Sequence, residues 1–98
     1  MAEVELKAQA KGMAALRRFW IRLAGGEIPV GFRMGCGITA FTRDDALGLL
    51  LTVWPALEGD PVIVDVTEDV DLTTLDQNHV LPNVGDVTRR GVWFPNFG

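Results

Sequence analysis

Residues 28–54 read IPVGFRMGCGITAFTRDDALGLLLTVW, and this stretch decides the fold class. In its first half, apolar residues occupy every second position, which is the spacing of a strand with one face against a core. Three glycines fall between them and indicate a bulge or a close backbone approach rather than a phosphate loop, because the required spacing is missing. The sequence therefore predicts one long strand whose apolar face carries Ile28, Val30, Phe32, Met34, Cys36, Ile38 and Ala40.

The second half of the stretch has helical spacing. Thr42 precedes Asp44 and Asp45, which is the pattern of a capping hydroxyl followed by carboxylates in the first helical turn. Apolar residues then recur three and four positions apart up to Trp54, and Pro55 cannot donate a backbone hydrogen bond. We expect a helix that begins after Thr42 and ends near Trp54.

Three further strands are predicted around this unit. Residues 19–23 are rich in aromatic and branched residues and run into a glycine turn at 24–27, residues 62–66 are β-branched except for Asp65, and residues 90–94 precede a proline. Residues 68–85 mix isolated apolar residues with turn-formers, which predicts a long ordered loop that is functional or wraps the core. The order β-β-α-β-loop-β indicates a two-layer α+β fold, an antiparallel sheet of about four strands with one main helix.

The chain of 98 residues has the length of one domain. We expect a single α+β domain over 19–98, preceded by an N-terminal extension over 1–18. Apolar residues alternate over 4–10 as in a strand, whereas the alanine-rich content up to Arg18 favours a helix. Both interpretations of the extension stay open, with the helix favoured.

Charge is distributed unevenly along the chain. The net charge of -4 combines seven Lys/Arg and three Glu in residues 1–43 with ten Asp/Glu and two Arg in residues 44–98. Arg17, Arg18 and Arg22 lie near aromatic residues, as in surfaces that stack nucleic-acid bases. A pI near 4.7 and the acidic second part repel phosphates, so nucleic acid is not an expected partner.

Compartment is inferred from charge and cysteine content. The longest run without a charged residue has 12 residues, at 46–57, whereas a membrane-spanning helix needs about 20. Glu3 and Glu5 stand where a secretory signal carries positive charge, and Cys36 is the single cysteine, which excludes an internal disulfide. We expect a cytoplasmic protein without a membrane segment.

The acidic segment from Asp65 to Asp76 can be compared with a calcium-binding loop. Oxygen-bearing side chains occupy the ligand positions, but the sixth position holds Val70 where a sharp turn needs glycine. The twelfth position holds Asp76 rather than a longer, bidentate glutamate. Solvated acids and helix caps explain the segment better, and neither a metal nor a cofactor is predicted.

His79 is the only histidine and can pair with Cys36 or Asp76 as a general base with a nucleophile. Cys36, however, belongs to the apolar face of the predicted strand, where a thiol is usually an inert small hydrophobe. A histidine that orders the loop by hydrogen bonding is the favoured interpretation, and no catalytic residue is predicted.

Neighbouring aromatic rings occur twice, at Phe19 with Trp20 and at Trp93 with Phe94. Adjacent strand residues point to opposite faces, so one ring of each pair faces the core and the other is exposed unless a second layer covers it. Exposed rings beside arginine are enriched at interfaces. Cover by the N-terminal segment is the alternative.

The stretch DLTTLDQNHVLPNVG at 71–85, followed by RGVWFP at 90–95, resembles the C-terminal part of small bacterial proteins of uncharacterised function. With GITAF at 37–41 and DDAL at 44–47, the resemblance spans most of residues 19–95. It implies no activity. Small acidic immunity and inhibitor proteins are similar to this chain only in size and charge.

Together these features predict a small, non-enzymatic protein-binding module, immunity-like or inhibitory in kind. The alternative is a small-ligand-binding or enzymatic domain with a pocket around His79, Asn83 and Arg89. Self-association as a homodimer through a free sheet edge is compatible with either. The predicted partner contacts are Glu68, Asp69, Asp71, Asp76, His79, Asn83, Arg89, Arg90 and Trp93.

Overall fold

The computed structural model describes residues 15–24, 28–55 and 59–96. The helix and strands are, in chain order, β1 (Arg17–Ala24), β2 (Cys36–Ala40), α1 (Arg43–Val53), β3 (Val62–Glu68) and β4 (Gly91–Phe94). The strands form one antiparallel sheet in the order β3-β1-β2-β4, and α1 packs on it. The predicted α+β class, with four strands and one main helix, is confirmed.

The strand β2 is shorter than the predicted strand over 28–40. Phe32 N–H donates to the Pro29 carbonyl at 2.8 Å, and Gly35 N–H donates to the Phe32 carbonyl at 3.0 Å, so consecutive turns precede the strand. Gly35 has φ of 123°, a conformation that L side chains rarely adopt. The strand prediction is wrong for the part before Cys36, because proline and glycine favour turns there despite the alternating apolar residues.

The first strand begins within the predicted N-terminal extension. Arg17 and Arg18 belong to β1, since they pair with Ala40 and Thr39 of β2. The helix favoured for the extension falls mainly on residues 1–14, which lie outside the described residues.

The helix α1 has the predicted ends. The Thr42 hydroxyl accepts a hydrogen bond from Asp45 N–H at 3.0 Å, and Trp54 N–H donates to the Leu50 carbonyl at the other end. One face of α1 packs on the sheet and encloses a first hydrophobic core. Its buried members are Phe19, Ile21, Phe32, Cys36, Ile38, Ala40, Ala46 and Leu50.

The segment between β3 and β4 covers the opposite face of the sheet. Apolar side chains of this segment pack over Trp20, Trp93 and Phe94 in a second core, to which Val70, Leu75 and Val80 contribute. The Trp20 and Trp93 ring centroids are 6.0 Å apart, and the Trp93 ring lies where a side chain at position 37 would stand. The long loop thus wraps the core and packs over these rings. The alternative cover, the N-terminal segment, falls mainly on residues 1–14, which lie outside the described residues.

Candidate functional site

The acidic end of β3 is paired with arginines from elsewhere in the fold. Arg17 donates to Glu68 at 2.9 Å and bonds both carboxylate oxygens of Asp69, at 2.8 and 2.9 Å. Arg43 lies 3.5 Å from the second Glu68 oxygen. The hydrogen bond from Arg17 lowers the pKa of Asp69 below its ordinary value. The basic first part of the chain therefore neutralises much of this acidic cluster.

Asp71 and Asp76 hold the turns of the loop. The Asp71 carboxylate accepts from Thr73 N–H at 3.0 Å and from its hydroxyl at 2.7 Å. The Asp76 carboxylate accepts the backbone N–H groups of His79 and Asn78 at 2.7 and 2.8 Å, and these bonds lower its pKa. Both acids are exposed, and both act as the caps that the sequence favoured over calcium binding.

His79 and Asn83 line an open groove of about 480 Å³ together with Pro82 and Phe94. The His79 side chain is 73% exposed, with Nδ1 at 3.3 Å from the Asp76 carboxylate. Asn83 Nδ2 donates to the His79 carbonyl at 2.8 Å. The His79 backbone N–H and carbonyl therefore take part in ordering the loop, whereas its imidazole is exposed and contacts the Asp76 carboxylate.

Cys36 and His79 are not in contact. The thiol is buried in the core beneath α1, whereas His79 belongs to the loop on the opposite face of the sheet. Burial raises the pKa of the Cys36 thiol to about 12, so the nucleophilic thiolate is strongly disfavoured. The geometry excludes a Cys36–His79 pair.

The structure has no single pocket lined by the three residues predicted to form one, His79, Asn83 and Arg89. Arg89 lines a separate open groove of about 400 Å³, beside Asp86 and Asn96. Arg90 turns to the helix, where its guanidinium makes two hydrogen bonds to the Asp45 carboxylate. The structure therefore does not bring the three predicted pocket residues together.

The prediction that Trp93 contacts a partner is corrected by its burial. It was predicted among the partner contacts, but it is 1% exposed, and its indole N–H donates to the Thr39 hydroxyl at 3.1 Å. The loop layer buries it, so its ring presents no surface to a partner. The other eight predicted contact residues have exposed side chains.

Sequence reasoning missed an exposed apolar surface between α1 and β3. We call it the α1/β3 surface. Leu47, Leu51, Pro61 and Ile63 form its part on the α1 face of the sheet, and Val62 and Val64, the neighbours of Ile63 in the strand, extend it around the edge of β3 to the opposite face. Leu51 is 55% exposed, and Val62 and Val64 are 58% and 56% exposed. An apolar groove of about 360 Å³ runs between the helix and the strand, with Asp60 as the charged residue of its lining.

The strand of this surface lies at the edge of the sheet. Within residues 15–24, 28–55 and 59–96, no strand pairs with the outer side of β3. The opposite edge strand, β4, is partly covered, because Gly85 N–H donates to the Trp93 carbonyl at 2.8 Å. Register shifts between Arg22 and Leu23, so Val64 is an extra, bulged residue in β3.

The only signal in the sequence was the uninterrupted run Val62, Ile63 and Val64. Such a run is typical of a strand buried on both faces, and strand order cannot be read from it. It therefore did not predict an exposed edge.

Two kinds of site are missing from the described part of the chain. It holds no group of three or more His, Cys, Asp or Glu side chains arranged to bind a metal ion. It also contains no helix with the length and apolar character needed to cross a membrane. Comparison with protein families, with curated proteins and with solved structures finds no match to this chain.

Proposed function

We propose that this protein is a non-enzymatic binding module that contacts a partner protein through the α1/β3 surface. An inhibitory or immunity-like role is one form that such binding takes. The observation that carries the proposal is the exposure of three consecutive apolar side chains, Val62, Ile63 and Val64, on a strand edge with no described neighbour. Exposed apolar side chains on both faces of an open strand edge are typical of sites where a partner segment adds to a sheet.

The open edge of β3 is needed for binding because the exposed apolar side chains alone supply too little free energy. Covering the exposed halves of Leu51, Val62 and Val64 contributes on the order of 1 kcal/mol each. Association costs about 4–15 kcal/mol in lost freedom of motion. Outward backbone N–H and C=O groups of β3 can supply the remainder by adding an extended partner segment to the sheet.

The grooves on the loop side give less support to a ligand-binding or enzymatic function. His79 and Asn83 are separated from Arg89, and Asp76 is engaged by backbone N–H groups. The polar side chains His79, Asn83, Asp86 and Arg89 that line these grooves are all exposed, whereas a small-molecule site usually encloses its polar groups in a mostly apolar pocket.

A peptide-display experiment tests the proposed function. Random nine-residue peptides are selected on the wild-type protein, and their binding is measured again on Val64→Lys and Leu51→Lys, each shown by circular dichroism to be folded. Met34→Lys is the matched control, because Met34 is 45% exposed and lies outside the α1/β3 surface.

We expect selected peptides to bind Val64→Lys and Leu51→Lys at least about tenfold more weakly, because a charged side chain replaces apolar contact area. Binding to Met34→Lys should be unchanged. Equal binding to all four proteins, or a library that yields no peptide, contradicts the proposal.

A further inference from the structure

Resting on the proposed function, we infer that the partner supplies an extended segment with an apolar side chain that enters the groove between α1 and β3, next to a lysine or arginine that pairs with Asp60. The walls of the groove are Leu47, Leu50, Leu51, Pro61 and Ile63, which suit an apolar side chain. Asp60 is exposed at the same groove.

The described residues leave the charge of this groove unbalanced. Glu68 and Asp69, at the far end of β3, are paired with arginines. Asp60 and Asp65 form no ion pair with any described residue, although Arg22 is the cross-strand neighbour of Asp65. A cation beside the apolar anchor complements Asp60 in the groove lining, whereas Asp65, which pairs with Arg22 in the register, lies on the opposite face of β3 from Ile63.

A second copy of this chain does not fit the same surface. Residues 59–69 contain no lysine or arginine, so pairing two β3 edges brings acidic strands together. The bulge at Val64 also breaks the two-residue alternation that strand pairing in register requires. Bulges and charged residues on an edge are features that prevent identical edges from joining.

Two matched peptide libraries test the chemistry of the partner. Both display nine-residue peptides with a central position randomised over apolar residues, and they differ only in a fixed neighbouring residue, lysine in one and glutamate in the other. Each library is selected on the wild type, on Asp60→Asn and on Asp44→Asn, an exposed acid outside the groove that serves as the control.

On the wild type and on Asp44→Asn, we expect the lysine library to be enriched about two- to fivefold or more over the glutamate library, as for an exposed ion pair. On Asp60→Asn this preference should disappear. Equal enrichment of the libraries on the wild type overturns the inference, whereas the proposed function stands if the selected peptides bind Val64→Lys at least about tenfold more weakly than the wild type. If neither library depends on Val64, the proposed function fails.

Sedimentation of the wild-type protein decides between a partner and a second copy. We expect a single monomeric species at micromolar concentration. A dimer that Val64→Lys dissociates overturns the inference and identifies a second copy as the occupant of the surface.

Discussion

Thr39 is a buried polar residue that joins the sheet to the loop layer. It is 1% exposed, and its hydroxyl donates to the Val87 carbonyl at 2.6 Å while accepting the Trp93 indole N–H at 3.1 Å. Each group is thus satisfied away from water, which is the condition for burying it without a large cost. One hydroxyl therefore determines how the loop sits over β2.

We expect Thr39→Val to lower the free energy of unfolding by about 2 kcal/mol, because it removes the hydrogen-bond partner of a part-buried carbonyl and of a buried indole N–H. Urea unfolding followed by fluorescence measures the change. Thr52→Val is the control, since the Thr52 hydroxyl donates to the Leu49 carbonyl at an exposed position. Equal losses in the two variants would contradict this role of Thr39.

Cys36 illustrates how burial determines reactivity. Because the fold raises the thiol pKa to about 12, we expect iodoacetamide to label the folded protein at pH 8 at least about 100-fold more slowly than the urea-unfolded chain. The same shift makes the unfolded state release its proton first. The stability contributed by the protonated thiol is therefore lost as the pH rises from about 9 through the folded pKa. Similar labelling rates in the folded and the urea-unfolded protein would contradict the predicted protection of the Cys36 thiol.

At the scale of elements, the start of α1 is held to the beginning of β4 by one carboxylate. Asp45 accepts from Phe41 N–H at 3.0 Å and from the Arg90 guanidinium. The hydrogen bond from Arg90 is the largest cause, followed by the bond from Phe41 N–H, and both lower the pKa of the Asp45 carboxylate below its ordinary value. The sequence predicted the first-turn carboxylate but not its arginine partner, which lies 45 residues away.

The sign of the pH dependence follows from that lowered pKa. A carboxylate with a lower pKa in the folded state stabilises the protein above its ordinary unfolded pKa of about 4. This stability is lost as the pH falls through the lowered folded pKa. We expect the wild type to lose more unfolding free energy than Asp45→Asn between pH 5 and pH 2.5.

Urea unfolding at several pH values in this range measures the difference. Asp44→Asn is the control, because Asp44 is exposed in the same helical turn and makes no described ion pair. The other carboxylates with lowered pKa values are present in all three proteins and cancel in the comparison. Parallel profiles for the wild type and Asp45→Asn would contradict the assignment.

The strand boundaries show where local pattern reaches its limit. The helix ends at the predicted residues, because its cap and the following proline act within a few positions of the chain. The predicted strand over 28–40 was too long, because alternation before Cys36 competes with Pro29 and Gly35. The alternating pattern shows only which positions are apolar, whereas turn formation depends on backbone conformation.

At the scale of the whole molecule, the sheet lies between two apolar layers. All five residues of β2 are buried, since α1 covers one face and the loop covers the other. The two cores share this strand and its hydrogen bonds, so neither layer can be lost without exposing β2. We therefore expect a single cooperative unfolding transition.

Val80→Ala tests this coupling, because Val80 is 1% exposed in the loop layer. We expect a loss of about 2 kcal/mol of unfolding free energy from the removed methyl groups and the cavity. The transitions seen by near-ultraviolet and far-ultraviolet circular dichroism should stay coincident. Val62→Ala, at a 58% exposed position, should cost about 0.5 kcal/mol or less.

Separate transitions in Val80→Ala would show that the loop layer unfolds independently of the sheet and α1. A loss in Val62→Ala as large as that in Val80→Ala would show that Val62 is covered in solution.

In the candidate site, too, some features follow from the sequence and others only from the structure. For the acidic segment, solvated acids and helix caps are the expected roles, and in the structure the Asp71 and Asp76 carboxylates accept backbone N–H groups of their own turns. Trp93 was expected at an interface, and the loop buries it. The α1/β3 surface was not foreseen, since its exposure depends on which strands pair.

The sequence by itself determined the α+β class and the ends of α1, because these depend on spacing and hydrogen bonds between near neighbours. Only the tertiary structure decided that β3 lies at the edge of the described strands, that Glu68 and Asp69 are neutralised by Arg17, and that the loop covers Trp20 and Trp93. Those features arise from contacts between residues far apart in the chain, which local pattern does not specify.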